Sequence, residues 1–162
     1  EKYYEFDIHP YFVKAFKKRW YVVAYSPGTN DIRCYALDRM ENVIISDKVF
    51  KMPKDLEPAE YFKDCFGIIN NEDSEVQKVV LKVDAFPSNY IRNLPLHESQ
   101  KEMKRTDEYS IFEYHLKPEF DFEQEIFSNM DTMEVLEPQW LREEVSERLR
   151  NLAKKYKICP SS

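Results

Sequence analysis

The side chains with the most chemistry to offer lie between Trp20 and Arg39. Arg33, Tyr35 and Arg39 follow one another on, or just past, one short extended run, Ile32–Leu37. A guanidinium group meets phosphate oxygens with a planar fork of donors, and an aromatic ring stacks on a base. Tyrosine beside arginine on a small β-structure is a common way to hold nucleotides or single-stranded nucleic acid. Tyr21, on the preceding run Trp20–Tyr25, is the fourth member, brought to the same side by antiparallel pairing. Each residue also has an ordinary use. Arg33 serves equally well as a cross-strand partner for a carboxylate. Arg39 could pair with Asp38 or a turn carbonyl. Tyr21 and Tyr25 are divided between packing and binding, and Trp20 is assigned to the core.

Catalysis finds little support. The histidines, His9, His97 and His115, are scattered, and none has an obvious nucleophile beside it. No Gly-x-Ser-x-Gly, His-Glu-x-x-His or Cys-x-x-Cys occurs. Gly28 and Gly67 are the only glycines, too few for a phosphate-cradling loop. No catalytic residue, metal or cofactor is expected. Cys34, Cys65 and Cys159 are odd in number and lack metal-type spacing, which suits a reduced, cytoplasmic chain. Cys34 reads as a small packed residue. No apolar run approaches the ~20 residues of a membrane helix.

The formal net charge of −6 is unevenly spread. Ile8 to Asn30 contains no Asp or Glu but carries Lys14, Lys17, Lys18 and Arg19. Pro118 to Trp140 contains no Lys or Arg and carries Glu119, Asp121, Glu123, Glu125, Asp131, Glu134 and Glu137. Charge runs are ordinarily solvated faces. Read functionally, the first half suits an anionic partner and the second half repels one.

These residues need elements to hold them. Trp20–Tyr25 and Ile32–Leu37 flank the turn cluster Pro27-Gly28-Thr29-Asn30-Asp31 and read as a hairpin. Tyr3–Ile8, Tyr11–Phe16 and Val43–Ile45 read as further strands, with His9-Pro10 interrupting the first two. Short antiparallel strands with tight turns suggest a small barrel. Leu56–Phe66 reads as a helix, with Pro58 in its first turn and Gly67 just past its end. Polar Asn70–Ser74 divides the 162 residues into domains 1–70 and 71–162. The second domain reads as strand Val76–Val83, helix Pro87–Leu94, strands Leu96–Met103 and Ser110–Lys117, helix Glu119–Asn129 and strand Met133–Leu136. A long helix from Pro138 follows, with Leu141, Val145, Leu149, Leu152 and Tyr156 in one stripe. The βαββαβ order is the ferredoxin-like motif with a helix appended, so the fold class is α+β.

Trp20-Tyr21-Val22, Asp31-Ile32-Arg33 and Leu37-Asp38-Arg39-Met40 together resemble the core of a WYL domain. Val22 stands where that family has Leu, and Met40 where it has Ile. His9-Pro10-Tyr11 fits the family's approach to the triplet. Tyr90-Ile91-Arg92, Leu96-His97-Glu98-Ser99-Gln100 and Val135-Leu136-Glu137-Pro138-Gln139-Trp140-Leu141-Arg142 resemble the extension that often follows such a domain. The resemblance implies an Sm-like barrel whose first strand, with any DNA-binding domain before it, precedes Glu1. It implies an effector-sensing module of a bacterial-type transcriptional regulator, working by population shift. The effector would be single-stranded nucleic acid or a nucleotide-like anion, held by Tyr21, Arg33, Tyr35 and Arg39, with His9 alongside. In the extension, Arg92, His97 and Gln100 are the polar residues to follow; capping and strand-surface roles suit them as well. Duplex DNA would be met only through the absent domain, and a homodimer is expected. A dimerisation scaffold with no ligand is the competing reading.

Overall fold

The structure is a computed structural model that describes residues 4–158. Tyr3 and Cys159, both read above, lie outside the described residues. The chain divides into two compact units. The first runs to Lys63 and includes Gly67–Ile69; the second takes Asp64–Phe66 and continues from Asn70. Each unit has its own antiparallel sheet, and four α-helices complete the described residues.

In the first unit, β1 (His9–Phe16), β2 (Arg19–Ser26) and β3 (Asp31–Ala36) form a sheet in the order β1-β2-β3. The β1–β2 turn is two residues long, with Phe16 paired to Arg19. Lys17 and Lys18 both take left-handed backbone there, at φ 45° and 64°. That is the geometry of a type I′ turn, whose twist matches the strands it joins. The β2–β3 turn closes with Ser26 paired to Asp31, and the Ser26 carbonyl accepts the Thr29 and Asn30 N–H groups. Its left-handed residue is Asn30, at φ 55°, not Gly28. A single 3-10 turn, Leu37–Arg39, follows β3, and α1 spans Pro58–Phe62.

Several expectations change here. Among the described residues this sheet is open, with three strands and β1 and β3 as its edges, and no closed barrel forms. Closure needs every edge paired, and Val43–Ile45, expected as a strand, lies unpaired and 75–97% exposed. Tyr4–Ile8 is not a strand either. His9-Pro10 does not interrupt β1 but begins it. Pro10 is tolerated because β1 is an edge strand and the register shifts between Pro10 and Phe12. The helix expected over Leu56–Phe66 shrinks to α1, and Gly67 has no left-handed φ with which to cap it.

The second unit runs β4 (Gln77–Asp84), α2 (Ala85–Asn93), β5 (Lys101–Arg105), β6 (Tyr109–Leu116), α3 (Phe120–Ser128), β7 (Met133–Glu137) and α4 (Gln139–Lys155). This is the βαββαβ order with one helix added. The sheet order is β5-β6-β4-β7. Strand alternation sorts β6 cleanly: Phe112, Tyr114 and Leu116 are buried, while Ile111, Glu113 and His115 are not. The buried side meets Val79, Leu81 and Val83 of β4, with Phe122 and Ile126 of α3 and Leu141 and Val145 of α4 in the same cluster. Only the front of the α4 stripe is buried; Leu149 and Leu152 are about two-fifths exposed, at 41% and 42%. β5 starts at Lys101, later than expected, because Pro95–Gln100 is a turn fastened by its own side chains.

Candidate functional site

Register decides which side chains share a face. On β2–β3, Val22 pairs with Tyr35, Ala24 with Arg33 and Ser26 with Asp31. Directly paired residues point the same way in an antiparallel sheet. Trp20, two residues before Val22, therefore lies on the face of Arg33 and Tyr35. Val13 and Ala15 of β1 join them through their pairs Val22 and Trp20. Tyr21 pairs with Ala36 and Lys14 and points to the opposite face, with Val23, Tyr25 and Cys34. The expected grouping of Tyr21 with Arg33 is thus replaced by Trp20 with Arg33. The cause is the turn. The expectation counted Asp31 into a five-residue loop, whereas Asp31 is already paired to Ser26. One residue of register moves every side chain to the other face.

On the face of Arg33 and Tyr35 the small Val22 and Ala24 are buried, but Trp20 is 56% exposed, not core. Tyr35 has the Phe6 ring 5.4 Å away. The Arg33 Nε donates to Asp31 Oδ2 at 3.4 Å, so Arg33 does meet a carboxylate, but one two residues away on its own strand and not across the sheet. Both members of that pair are half exposed, and such pairs are worth little in water. Asp38 is bound by Arg19 at 3.0 Å, not by Arg39. Arg39 has no hydrogen bond or ion pair with another described residue and projects from the 3-10 turn. Next to it, Phe16, Lys17, Lys18, Arg19, Trp20, Tyr21, Leu37 and Asp38 line a shallow depression of about 600 Å3. Its rim holds three cations from consecutive positions.

The opposite face is used for packing. Phe12 meets the rings of Tyr61 and Phe62, and the Lys14 ammonium sits 4.0 Å from the Phe62 ring centre. His9 stacks on Phe50 at 4.7 Å with Tyr25 at 5.5 Å. Tyr11 lies near Phe50, and partial burial, with Tyr25 nearby, raises its phenol pKa. The Cys34 thiol donates to the Ile68 carbonyl at 3.2 Å, in keeping with a packed residue.

Arg92, His97 and Gln100 are spent inside the second unit. Arg92 grips Glu102 with two donors at 3.0 and 2.7 Å and reaches Ser110 and Asn89. That guanidinium, with the Ser110 hydroxyl behind it, holds the Glu102 carboxyl down at about 2. Gln100 accepts from the Leu96 N–H and the Tyr114 hydroxyl and donates to the Ile91 carbonyl. His97 is buried, with its Nδ1 against the Ser99 N–H and hydroxyl. The three residues clamp the turn before β5. Among the described residues no group of three or more His, Cys, Asp or Glu could hold a metal ion. Nor is any helix there long and apolar enough to cross a membrane.

The site that remains is one sheet face that carries an indole at one end, a phenol in the middle and a guanidinium four residues along from the indole, with the cations of the β1–β2 turn at the indole end. It can stack planar rings and bind oxyanions; it carries no nucleophile–base pair. Trp20 is the member that sequence reading missed. Counting parity back from a four-residue Pro27–Asn30 loop would have found it.

Comparison with known proteins adds three findings. Residues 1–45 match the family model described as the WYL domain, and residues 75–153 match that of the WCX domain. No curated protein matches the chain. Among solved structures, proteasome accessory factor B/C (PafBC) of Arthrobacter aurescens is similar at 18% identity and a TM-score of 0.40. The match covers 96% of this chain and 23% of that one, so this chain spans under a quarter of that protein's length.

Proposed function

We propose, for a chain that carries a WYL domain followed by a WCX domain, that it is the effector-sensing module of a transcriptional regulator and not an enzyme. In this reading residues 1–70 are an Sm-like unit and residues 71–162 a ferredoxin-like one with an added helix. The βαββαβ order supports the second label. The effector is single-stranded nucleic acid or a phosphate-bearing nucleotide, and the module works as a homodimer in the cytoplasm. Binding favours one arrangement of the module over another, and that difference is what a DNA-binding partner domain would read.

The observation that carries the ligand class is the shared face of Trp20, Arg33 and Tyr35. Stacking on an exposed aromatic is worth about 1–3 kcal/mol per base, and a charged hydrogen bond to phosphate about 1.5–3 kcal/mol. Lys17, Lys18, Arg19 and Arg39 supply positive potential around the same face. Titration of labelled single-stranded oligonucleotides at two salt concentrations tests this. Trp20→Ala and Arg33→Ala should each weaken binding by roughly ten- to a hundredfold, Tyr21→Ala should change little, and affinity should fall with salt. Binding that depends on Tyr21 and not Trp20 would place the ligand on the wrong face for this reading. No binding at low salt would favour the scaffold.

A further inference from the structure

α2 presents two very different sides. Ser88 and Ile91 are buried, and the Ser88 hydroxyl is bonded to the carbonyls of Val83 and Asp84. On the outer side Phe86, Tyr90 and Leu94 follow at intervals of four residues and are 72%, 65% and 78% exposed. The rings of Phe86 and Tyr90 touch edge to face at 5.5 Å. The Leu94 N–H is still bonded to the Tyr90 carbonyl, so the stripe continues to the helix end. Large apolar groups in such a row are not ordinary surface.

We propose that this stripe is where two copies of the chain meet, α2 packing antiparallel on α2 of the second copy with the two-fold axis at Tyr90. The proposal rests on the homodimer part of the reading above and not on its ligand. Three features select a second copy. The stripe is evenly spaced about Tyr90, so a two-fold there sets Phe86 of each copy on Leu94 of the other, as an isologous interface requires. The helix is nearly free of charge: its one ionic side chain, Arg92, is already bound by Glu102. Charge depletion with aromatic enrichment is the composition of an interface centre. Area also fits. Two rings that can each bury roughly 150–250 Å2, with a leucine, give on the order of 800 Å2 for a symmetric pair. Exposed Asn89, Asn93 and Pro95 at the rim bring it toward the about 1,000 Å2 of a specific interface. The exposed part of α4 fits less well. There Leu149, Leu152 and Tyr156 are interleaved with Arg148, Arg150, Lys154 and Lys155, which a two-fold would set against their own copies.

The test uses the whole chain and two readouts. Light scattering over a concentration series should show a dimer that Tyr90→Glu converts to a monomer and Leu152→Glu leaves intact. Because Tyr90 is solvent-facing, circular dichroism of the variant should be unchanged. Oxidative crosslinking gives the positive signal. Tyr90→Cys should form a covalent dimer above the background of the parent's own cysteines. Leu94→Cys alone should not, since the two positions lie about 12 Å apart along the axis, beyond disulfide reach. Phe86→Cys mixed with Leu94→Cys should. A chain that stays monomeric, or a dimer that survives Tyr90→Glu without crosslinking at position 90, overturns the proposal. Either result leaves the oligonucleotide titration standing on its own terms.

Discussion

The two units spend their apolar side chains in opposite ways. The buried cluster of Val79, Leu81, Phe112, Tyr114, Phe122 and their neighbours belongs wholly to the second unit. In the first, Val22, Val23, Ala24 and Phe62 are the buried apolar residues among those described, while Trp20, Val13 and Val43–Ile45 face solvent. One unit is built around its interior and the other around its surface. Regions that bind and respond are drawn from the less stable parts of a fold, and the proposed ligand face lies on the unit with the smaller interior.

The largest effect should fall on the core. Phe112→Ala removes a fully buried ring and should cost about 3–5 kcal/mol, read as a lower denaturation midpoint by circular dichroism. Trp20→Ala should cost about 1 kcal/mol or less, because its ring is already more than half in water. Equal costs would erase the contrast and return Trp20 to a core role.

A smaller effect concerns acid. Glu102 titrates at about 2 in the folded chain, against 4.5 ordinarily. A depressed carboxyl contributes stability that is present above 4.5 and is lost as pH falls toward 2. Arg92→Leu should therefore lower stability at pH 7, and the gap from the parent should close between those two values. Denaturant midpoints at pH 7 and pH 2.5 measure it. A gap that ignores pH would mean the ion pair contributes no stability, and would free Arg92 for another task.

The smallest effect sharpens the first unit's side of the comparison. Lys17 and Lys18 occupy left-handed backbone that favours Asn and Gly. Replacing the pair by Lys17→Asn with Lys18→Gly should raise stability by about 1 kcal/mol. It should also flatten the salt dependence of oligonucleotide binding, since two cations are lost. Strain kept at a turn where relief is so simple points to a use for those lysines. A variant that is stabler and binds as well would remove that argument.

What could be read in advance follows from how local each signal was. The second unit's order was legible because β6 alternates without exception and Pro87, Thr106-Asp107-Glu108 and Pro138 punctuate it. The start of β5 was not, because the Gln100 side chain bonds to groups at Ile91 and Tyr114 that no local pattern couples. Arg33, Tyr35 and Arg39 were placed on or beside the right strand, but Trp20, which shares the face of Arg33 and Tyr35, was not grouped with them. Face assignment depended on whether Asp31 belonged to the turn or the strand, a difference of one hydrogen-bonded pair. Val43–Ile45 has the β-branched composition of a strand, yet composition cannot supply a neighbouring edge.

The stretch from Glu41 to Glu57 has one more consequence. It contains no helix or strand, and nearly every residue in it is exposed. Its ends are fixed by the 3-10 turn and by α1. Doubling the length of such a connection costs only about 0.6 kcal/mol in closure entropy. Away from Phe50, which stacks on His9, it can therefore accept extra sequence cheaply, by drift or by an engineer inserting a fluorescent reporter, with β1–β3 left in register.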